Sequence, residues 1–203
     1  PELDYIYNFC VKNNITLISD EIYHGIEFEK SSNSILNFGT KAIVINSFSK
    51  YFLMPGWRLG WAIIPDSLKE NFLKLSQNLF ISSGNIAQYS AIKIFECIDQ
   101  LNETVKQYSI SREKVYKLLS DIKGLNFKKP DGAFYFYLDI TKFNISSEEL
   151  AKKILNEIGV ALTPGTDFDK KFGLRTLRLA FSIDNQKVVE AVTKLKKWFE
   201  QNY

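Results

Sequence analysis

Residues 46–61, NSFSKYFLMPGWRLGW, gather the side chains best able to do chemistry. Lys50 follows a short apolar run, Ser47 and Ser49 stand just before it, and Arg58 comes eight residues later. A primary amine attacks a carbonyl carbon only when uncharged, and a free lysine, with a pKa near ~10.4, is almost wholly protonated at neutral pH. Burial or a neighbouring cation must lower that value. Tyr51, Phe52 and Leu53 are the residues expected to wall Lys50 from water. Arg58 suits a dianion, because its planar fork donates paired hydrogen bonds where a lysine offers a point charge. Taken singly, Lys50 reads as a solvated loop lysine and Arg58 as a surface ion-pair partner. Their grouping with two hydroxyls instead favours a reactive amine beside a held phosphate.

Two further places carry chemistry. In Ser19-Asp20-Glu21-Ile22-Tyr23, Asp20 is expected at the C-terminal end of a strand, from which side chains reach the crevice where open α/β sheets bind ligands. The plain alternative is an aspartate capping a turn, with Tyr23 packed beside it. Arg178 sits inside the apolar run LRLAFS, and a charge there requires an anionic partner. Arg175 is the runner-up and fits better as a solvated loop residue. His24, the single histidine, reads as a structural hydrogen-bonding residue, and Met54 and the run Phe134–Tyr137 read as packing.

Ser47–Trp61 resembles the lysine segment of fold-type I pyridoxal-phosphate (PLP) enzymes, in particular class I/II aminotransferases with S-x-S-K followed by G-W-R-L-G-W. The resemblance implies roles residue by residue. Lys50 matches the lysine that joins PLP covalently and then shuttles a proton, and Ser47, Ser49 and Arg58 match the residues that hold its phosphate. Asp20 matches the aspartate that keeps the ring nitrogen protonated, and Tyr23 the tyrosine bonded to the ring oxygen. Arg178 matches the arginine that grips the substrate's α-carboxylate. Pro130–Tyr135 and Thr163-Pro164-Gly165 resemble small-domain motifs of the family, with one departure: Asp169 follows Phe168 where a glycine is common.

These side chains need elements to position them. Pro1 suits the first turn of a helix, and Leu3, Ile6, Tyr7, Cys10 and Val11 recur at helical spacing, so residues 2–13 read as an amphipathic helix. Ile15–Ile18 reads as a buried strand ending at Ser19-Asp20, Ala42–Asn46 as a second and Leu59–Ile64 as a third, with the Lys50 loop between the last two. Residues 31–40 read as loop. Apolar spacing predicts helices through Leu68–Leu79 and Ala87–Ile98, then a long one through Val105–Ile122 ending at Gly124. Beyond residue 125 the pattern becomes α+β. Ala133–Ile140 is an aromatic strand, Ser146 and Glu149 form a capping pair opening a helix that Gly159 closes, Thr176–Ser182 is a strand, and Val188–Phe199 line a last helix.

The expected fold class is therefore α/β: the C-terminal part of the PLP-dependent transferase fold, a mostly parallel sheet with helices on both faces, followed by a small α+β domain. Residues 1–100 are expected in the large PLP-binding domain, 101–124 in a linking helix and 125–203 in the small C-terminal domain. A helix feeding a parallel strand normally follows an earlier strand. The chain thus reads as beginning mid-domain, as the C-terminal half of an aminotransferase.

The 203 residues are enough for a sizeable core, and 45% hydrophobic with 24% charged residues is ordinary for a soluble globular protein. The net charge of +3 is spread along the chain, which argues against a nucleic-acid partner. Cys10 and Cys97 lie far apart with no CxxC pattern, so no metal site is expected and a reducing, cytoplasmic compartment is the simpler reading. No apolar run reaches a membrane span, and no signal-peptide pattern opens the sequence. The resemblance implies amino-acid and 2-oxo-acid substrates and a homodimer. Two alternatives share the same motif: a PLP-dependent lyase or decarboxylase, and the aminotransferase-like sensing domain of a transcriptional regulator.

Overall fold

The computed structural model describes residues 2–203, so the reading of Pro1 lies outside the described residues. The chain divides into two compact units, Pro1–Glu103 and Thr104–Tyr203.

In the first unit, α1 (Glu2–Lys12) has acidic residues in its first turn and Lys12 in its last, the polarity that its dipole favours. It buries Tyr7 and Cys10, and Tyr7 packs with Ile35, Ala42 and Val44. Three short strands follow: β1 (Ile18–Asp20), β2 (Ile43–Ser47) and β3 (Gly60–Ile63). They lie in the order β1-β2-β3, with β1 parallel to β2 and β2 antiparallel to β3.

Two expectations are corrected here. The strand placed at Ile15 begins only at Ile18, and its apolar side chains are open, with Ile18 62% exposed. A strand at the edge of a three-stranded sheet has too little structure over its faces to bury them. Nor is the sheet mostly parallel within the described residues, because β3 returns along β2 as a hairpin.

α2 (Lys69–Leu79) and α3 (Asn85–Ile94) follow, and α4 (Ile98–Ser120) runs from the first unit into the second. α3 packs Ala87 and Ala91 against Met54 and Leu59, so Met54 is a core residue as expected. α2 buries none of its residues. Leu79, Ile81, Ile86 and Tyr89, on and between α2 and α3, are strongly exposed, Ile81 at 83%.

The second unit is a four-stranded antiparallel sheet with helices: β4 (Asn126–Phe127), β5 (Tyr135–Asp139), α5 (Ser147–Ile158), β6 (Thr163–Pro164), β7 (Thr176–Ala180) and α6 (Asn185–Asn202), in strand order β4-β5-β7-β6. Alternation along β5 and β7 buries Phe136, Leu138, Leu177 and Leu179 on one face and turns Tyr135, Tyr137, Thr176 and Arg178 to the other. The buried face joins Leu150 and Ile154 of α5 and Val188, Val192 and Leu195 of α6 in the core. The caps of α5 are those expected: Ser146 Oγ accepts from Glu149 N–H (3.3 Å), and Gly159 closes the helix at φ 68°. β5 starts two residues later than expected because Ala133 takes a left-handed φ of 59°, which a continuous strand does not allow.

Candidate active site

The lysine segment is the connection of a β-hairpin. β2 and β3 pair through Ser47 and Gly60, Phe48 N–H donates to Leu59 O (3.1 Å), and Met54 N–H donates back to Phe48 O (2.9 Å). Residues 48–59 are thereby closed into a compact loop with Lys50 near its start. Gly60 is required at the base: a Cβ there would stand 2.7 Å from the Asn46 carbonyl oxygen, too close for any side chain. Leu53 (φ 55°) and Arg58 (φ 53°) both take the left-handed conformation, unusual for residues with a Cβ.

Within the loop, Ser47 Oγ accepts from Ser49 N–H (3.0 Å) and lies 3.0 Å from Leu59 O and 2.9 Å from Ser49 Oγ. The Ser47 hydroxyl therefore ties the two sides of the loop together, and Ser49 carries the hydroxyl beyond it. Arg58 Nη1 donates to Pro55 O (2.8 Å), which fixes the guanidinium to its own loop and draws on one of its five donors. Of the three residues expected to wall Lys50 from water, Tyr51 packs on Gly25 and donates to Asn102. Phe52 turns into a ring cluster with Phe48 (5.0 Å between centroids), Trp61 (6.1 Å) and Phe95 (5.5 Å), and Leu53 is exposed. The aromatic side chains anchor the loop; Lys50 itself is half-buried.

The Asp20–Tyr23 segment meets this loop. Lys50 Nζ lies 5.7 Å from the centre of the Tyr23 ring, within cation–π range. Gly25 (φ 90°) lies on the face of Tyr51, where an added Cβ would come within 2.6 Å of the ring. Tyr51 in turn donates its hydroxyl to Asn102 Oδ1 (2.7 Å), and partial burial pushes its phenol pKa up. Asp20 ends β1 exposed, with Oδ1 accepting from Ile22 N–H (3.2 Å). The turn-capping role weighed for it is thus present, and it engages one carboxylate oxygen.

Sequence reasoning missed Glu21. Its carboxylate is buried, with Oε1 accepting from Ser19 Oγ (3.1 Å), Ser34 Oγ (3.1 Å) and Ile35 N–H (2.8 Å), and Oε2 lying 3.4 Å from His24 Nδ1. His24 accordingly has the structural partner expected of it. A charged residue between Asp20 and Tyr23 is the only signal in the sequence, since Ser34 and Ile35, which bury it, lie more than ten residues away.

Arg178 belongs to the second unit, where β7 turns it to the open face of the sheet. Its guanidinium lies over two rings, Tyr135 at 4.4 Å and Phe168 at 4.1 Å. Its Nε is buried and has no hydrogen-bond partner among the described residues. Arg175 is exposed and stacks on Phe172 at 4.5 Å, as a loop residue. Asp169, the departure from the small-domain motif, is a working loop residue: its Oδ1 accepts from Lys171 N–H (2.7 Å) and Phe172 N–H (3.1 Å).

In chemical terms the first unit carries an amine over a phenol, two linked hydroxyls, a loop-bound guanidinium and a strand-end carboxylate. That set suits a phosphorylated carbonyl compound with a basic ring atom. Among proteins of known function, the family profile for aminotransferase class I and II matches residues 1–195. A (5-formylfuran-3-yl)methyl phosphate transaminase of Methanocaldococcus jannaschii is 37% identical over 97% of this chain and 53% of its own length. A valine–pyruvate aminotransferase of Mycobacterium tuberculosis is 33% identical over 97% of this chain and 52% of its own length. The crystal structure of an aminotransferase from Mycobacterium tuberculosis superposes with a TM-score of 0.94 at 32% identity, covering 98% of this chain and 53% of that one. The chain spans about half the length of the curated relatives it matches.

Proposed function

From the premise that this chain belongs to the aminotransferase class I and II family, we propose that it is the C-terminal half of a PLP-dependent aminotransferase exchanging an amino group between an L-amino acid and a 2-oxo acid. The observation that carries the reading is the hairpin loop that sets Lys50 Nζ over Tyr23 and, within the same loop, links the hydroxyls of Ser47 and Ser49. The donor set fits the cofactor: an amine for its aldehyde, hydroxyls and a guanidinium for its phosphate, a carboxylate for its ring nitrogen and a phenol for its ring oxygen.

When bound, PLP supplies an electron sink for the carbon that gains or loses the amino group. The chain's own residues do the rest. Lys50 would hold the cofactor at rest and then carry a proton on Nζ between the substrate's α carbon and the cofactor. Ser47, Ser49 and Arg58 would hold the phosphate, with Ser47 also tying together the loop that carries the other two. Asp20 would hold a positive charge on the ring nitrogen through its carboxylate. Tyr23 steadies the ring oxygen, and Arg178 grips the substrate carboxylate with its fork.

Two free cysteines, Cys10 and Cys97, accord with a cytoplasmic home. The apolar side chains exposed on and around α2 and α3 accord with burial against further chain and, in the complete enzyme, a homodimer. No helix among the described residues is long and apolar enough to cross a membrane.

The test is a visible-absorbance scan of the full-length protein with PLP, then borohydride reduction and peptide mapping. The parent protein turns yellow and takes the label on Lys50, while K50A does neither. A colourless parent, or a K50A variant that keeps the parent's spectrum, overturns the proposal.

A further inference from the structure

Resting on the reading of Arg178 as the residue that grips the substrate carboxylate, we infer that Tyr135 and Phe168 are its positioning residues, clamping the guanidinium between their rings so that it stays aimed and uncommitted. Three observations carry this. The guanidinium lies 4.4 Å from one ring centre and 4.1 Å from the other, both within cation–π range. Nε is buried with no hydrogen-bond partner among the described residues, so at this end the side chain is held by something other than hydrogen bonds. Finally, Phe168 is 52% exposed, so its ring meets Arg178 at the surface of the unit and not within the packed core.

The physical advantage follows from the shape of the group. Stacking uses the two faces of the guanidinium plane, whereas its N–H donors point outward in that plane. A carboxylate neighbour would occupy the donors that a substrate carboxylate needs; a pair of rings steadies the cation and leaves them available. Tyr135 reaches Arg178 because both lie on the open face of paired strands β5 and β7. Phe168 reaches it from the loop after β6, which Phe168 N–H and Asp169 N–H pin by donating to Gly165 O (both 2.9 Å). Asp169 then caps the turn beyond, so the residue that departs from the family motif helps hold the ring in place.

The experiment uses the full-length protein without cofactor and 3-phenylpropionate, a monocarboxylate lacking an amine, titrated by calorimetry. Phe168→Leu is expected to weaken binding about three- to thirtyfold and Phe168→Tyr to hold it within about twofold. Mono-, di- and trifluorinated phenylalanine at position 168 should weaken binding stepwise, because fluorine withdraws charge from the ring face while barely changing its size. Arg178→Gln should abolish binding. Loss with Arg178→Gln but none with Phe168→Leu or along the fluorinated series overturns the clamp and leaves the carboxylate reading standing. Unchanged affinity in Arg178→Gln, or no binding by the parent protein, overturns the carboxylate reading itself.

Discussion

Glu21 gives the sharpest test of how the Asp20–Tyr23 segment is held. Its carboxylate is 6% exposed, and one oxygen accepts three hydrogen bonds, the shortest from the backbone N–H of buried Ile35 at 2.8 Å. In Glu21→Ala that N–H keeps its burial and loses its acceptor, a desolvation cost of about 1–3 kcal/mol. If the segment opens rather than carrying the unmet donor, amide exchange at Ile35 should accelerate by about 5- to 150-fold, since 1.4 kcal/mol is a factor of ten. Glu21→Gln retains an acceptor for Ile35 and loses only the charge, so its exchange should rise by less than about tenfold. The assay is native-state hydrogen exchange on the full-length protein, resolved by residue. Ile43, whose N–H donates to Leu17 O (2.9 Å), serves as the internal control because neither partner touches Glu21. Ile35 protection within about twofold of the parent in Glu21→Ala would show that the carboxylate does not bear on this segment, and the reasoning fails.

Two further outcomes follow from the second unit. Gly173→Ala should cost about 1–3 kcal/mol, because the added Cβ would stand 2.6 Å from the carbonyl carbon and oxygen of Gly165 and from Thr166 N, all backbone. Gly56→Ala, where nothing lies within 4 Å, is the matched control, and equal denaturation midpoints for the two would refute the packing argument. Asp139 is held below the usual carboxylate range first by the Thr141 hydroxyl (2.5 Å) and then by Thr141 N–H (2.9 Å). A depressed carboxylate contributes stability above its unfolded pKa, near ~3.9, and loses it as pH falls through the lower folded value. Thr141→Val should therefore raise the Asp139 pKa in a carbon-13 NMR titration and remove about 0.5 kcal/mol or less at neutral pH, given how open the group is. No upward movement would refute the assignment.

What was legible in the sequence was local. Helical spacing located α1, α5 and α6, and Ser146 and Gly159 fixed the ends of α5, because capping depends on residues three or four apart. The hairpin loop was bounded correctly by the apolar runs on either side of Lys50. Hidden from the sequence was whatever depended on distant partners. Ile15–Ile18 was read as buried on composition, yet burial depends on what covers a strand, and the edge of this sheet is left open. Glu21 was passed over because its meaning lies in Ser34 and Ile35, and Phe168 because its ring matters only once β7 brings Arg178 beneath it.

The aromatic residues around Lys50 show the same contrast. Their types promised a shield, and the structure uses them as an anchor. Leu53 and Arg58 each take a left-handed conformation that costs a residue with a Cβ about 1–2 kcal/mol. Such a loop persists only if its surroundings over-determine it. They do so from three sides: the Phe48–Leu59 and Met54–Phe48 backbone bonds, the burial of Met54 and Leu59 against α3, and the packing of Phe48 and Phe52 on Trp61 and Phe95. The aromatic residues beside Lys50 therefore fix the loop that carries its amine and the Arg58 guanidinium. From the turn after β1, Tyr23 brings its ring centre to 5.7 Å from the Lys50 amine.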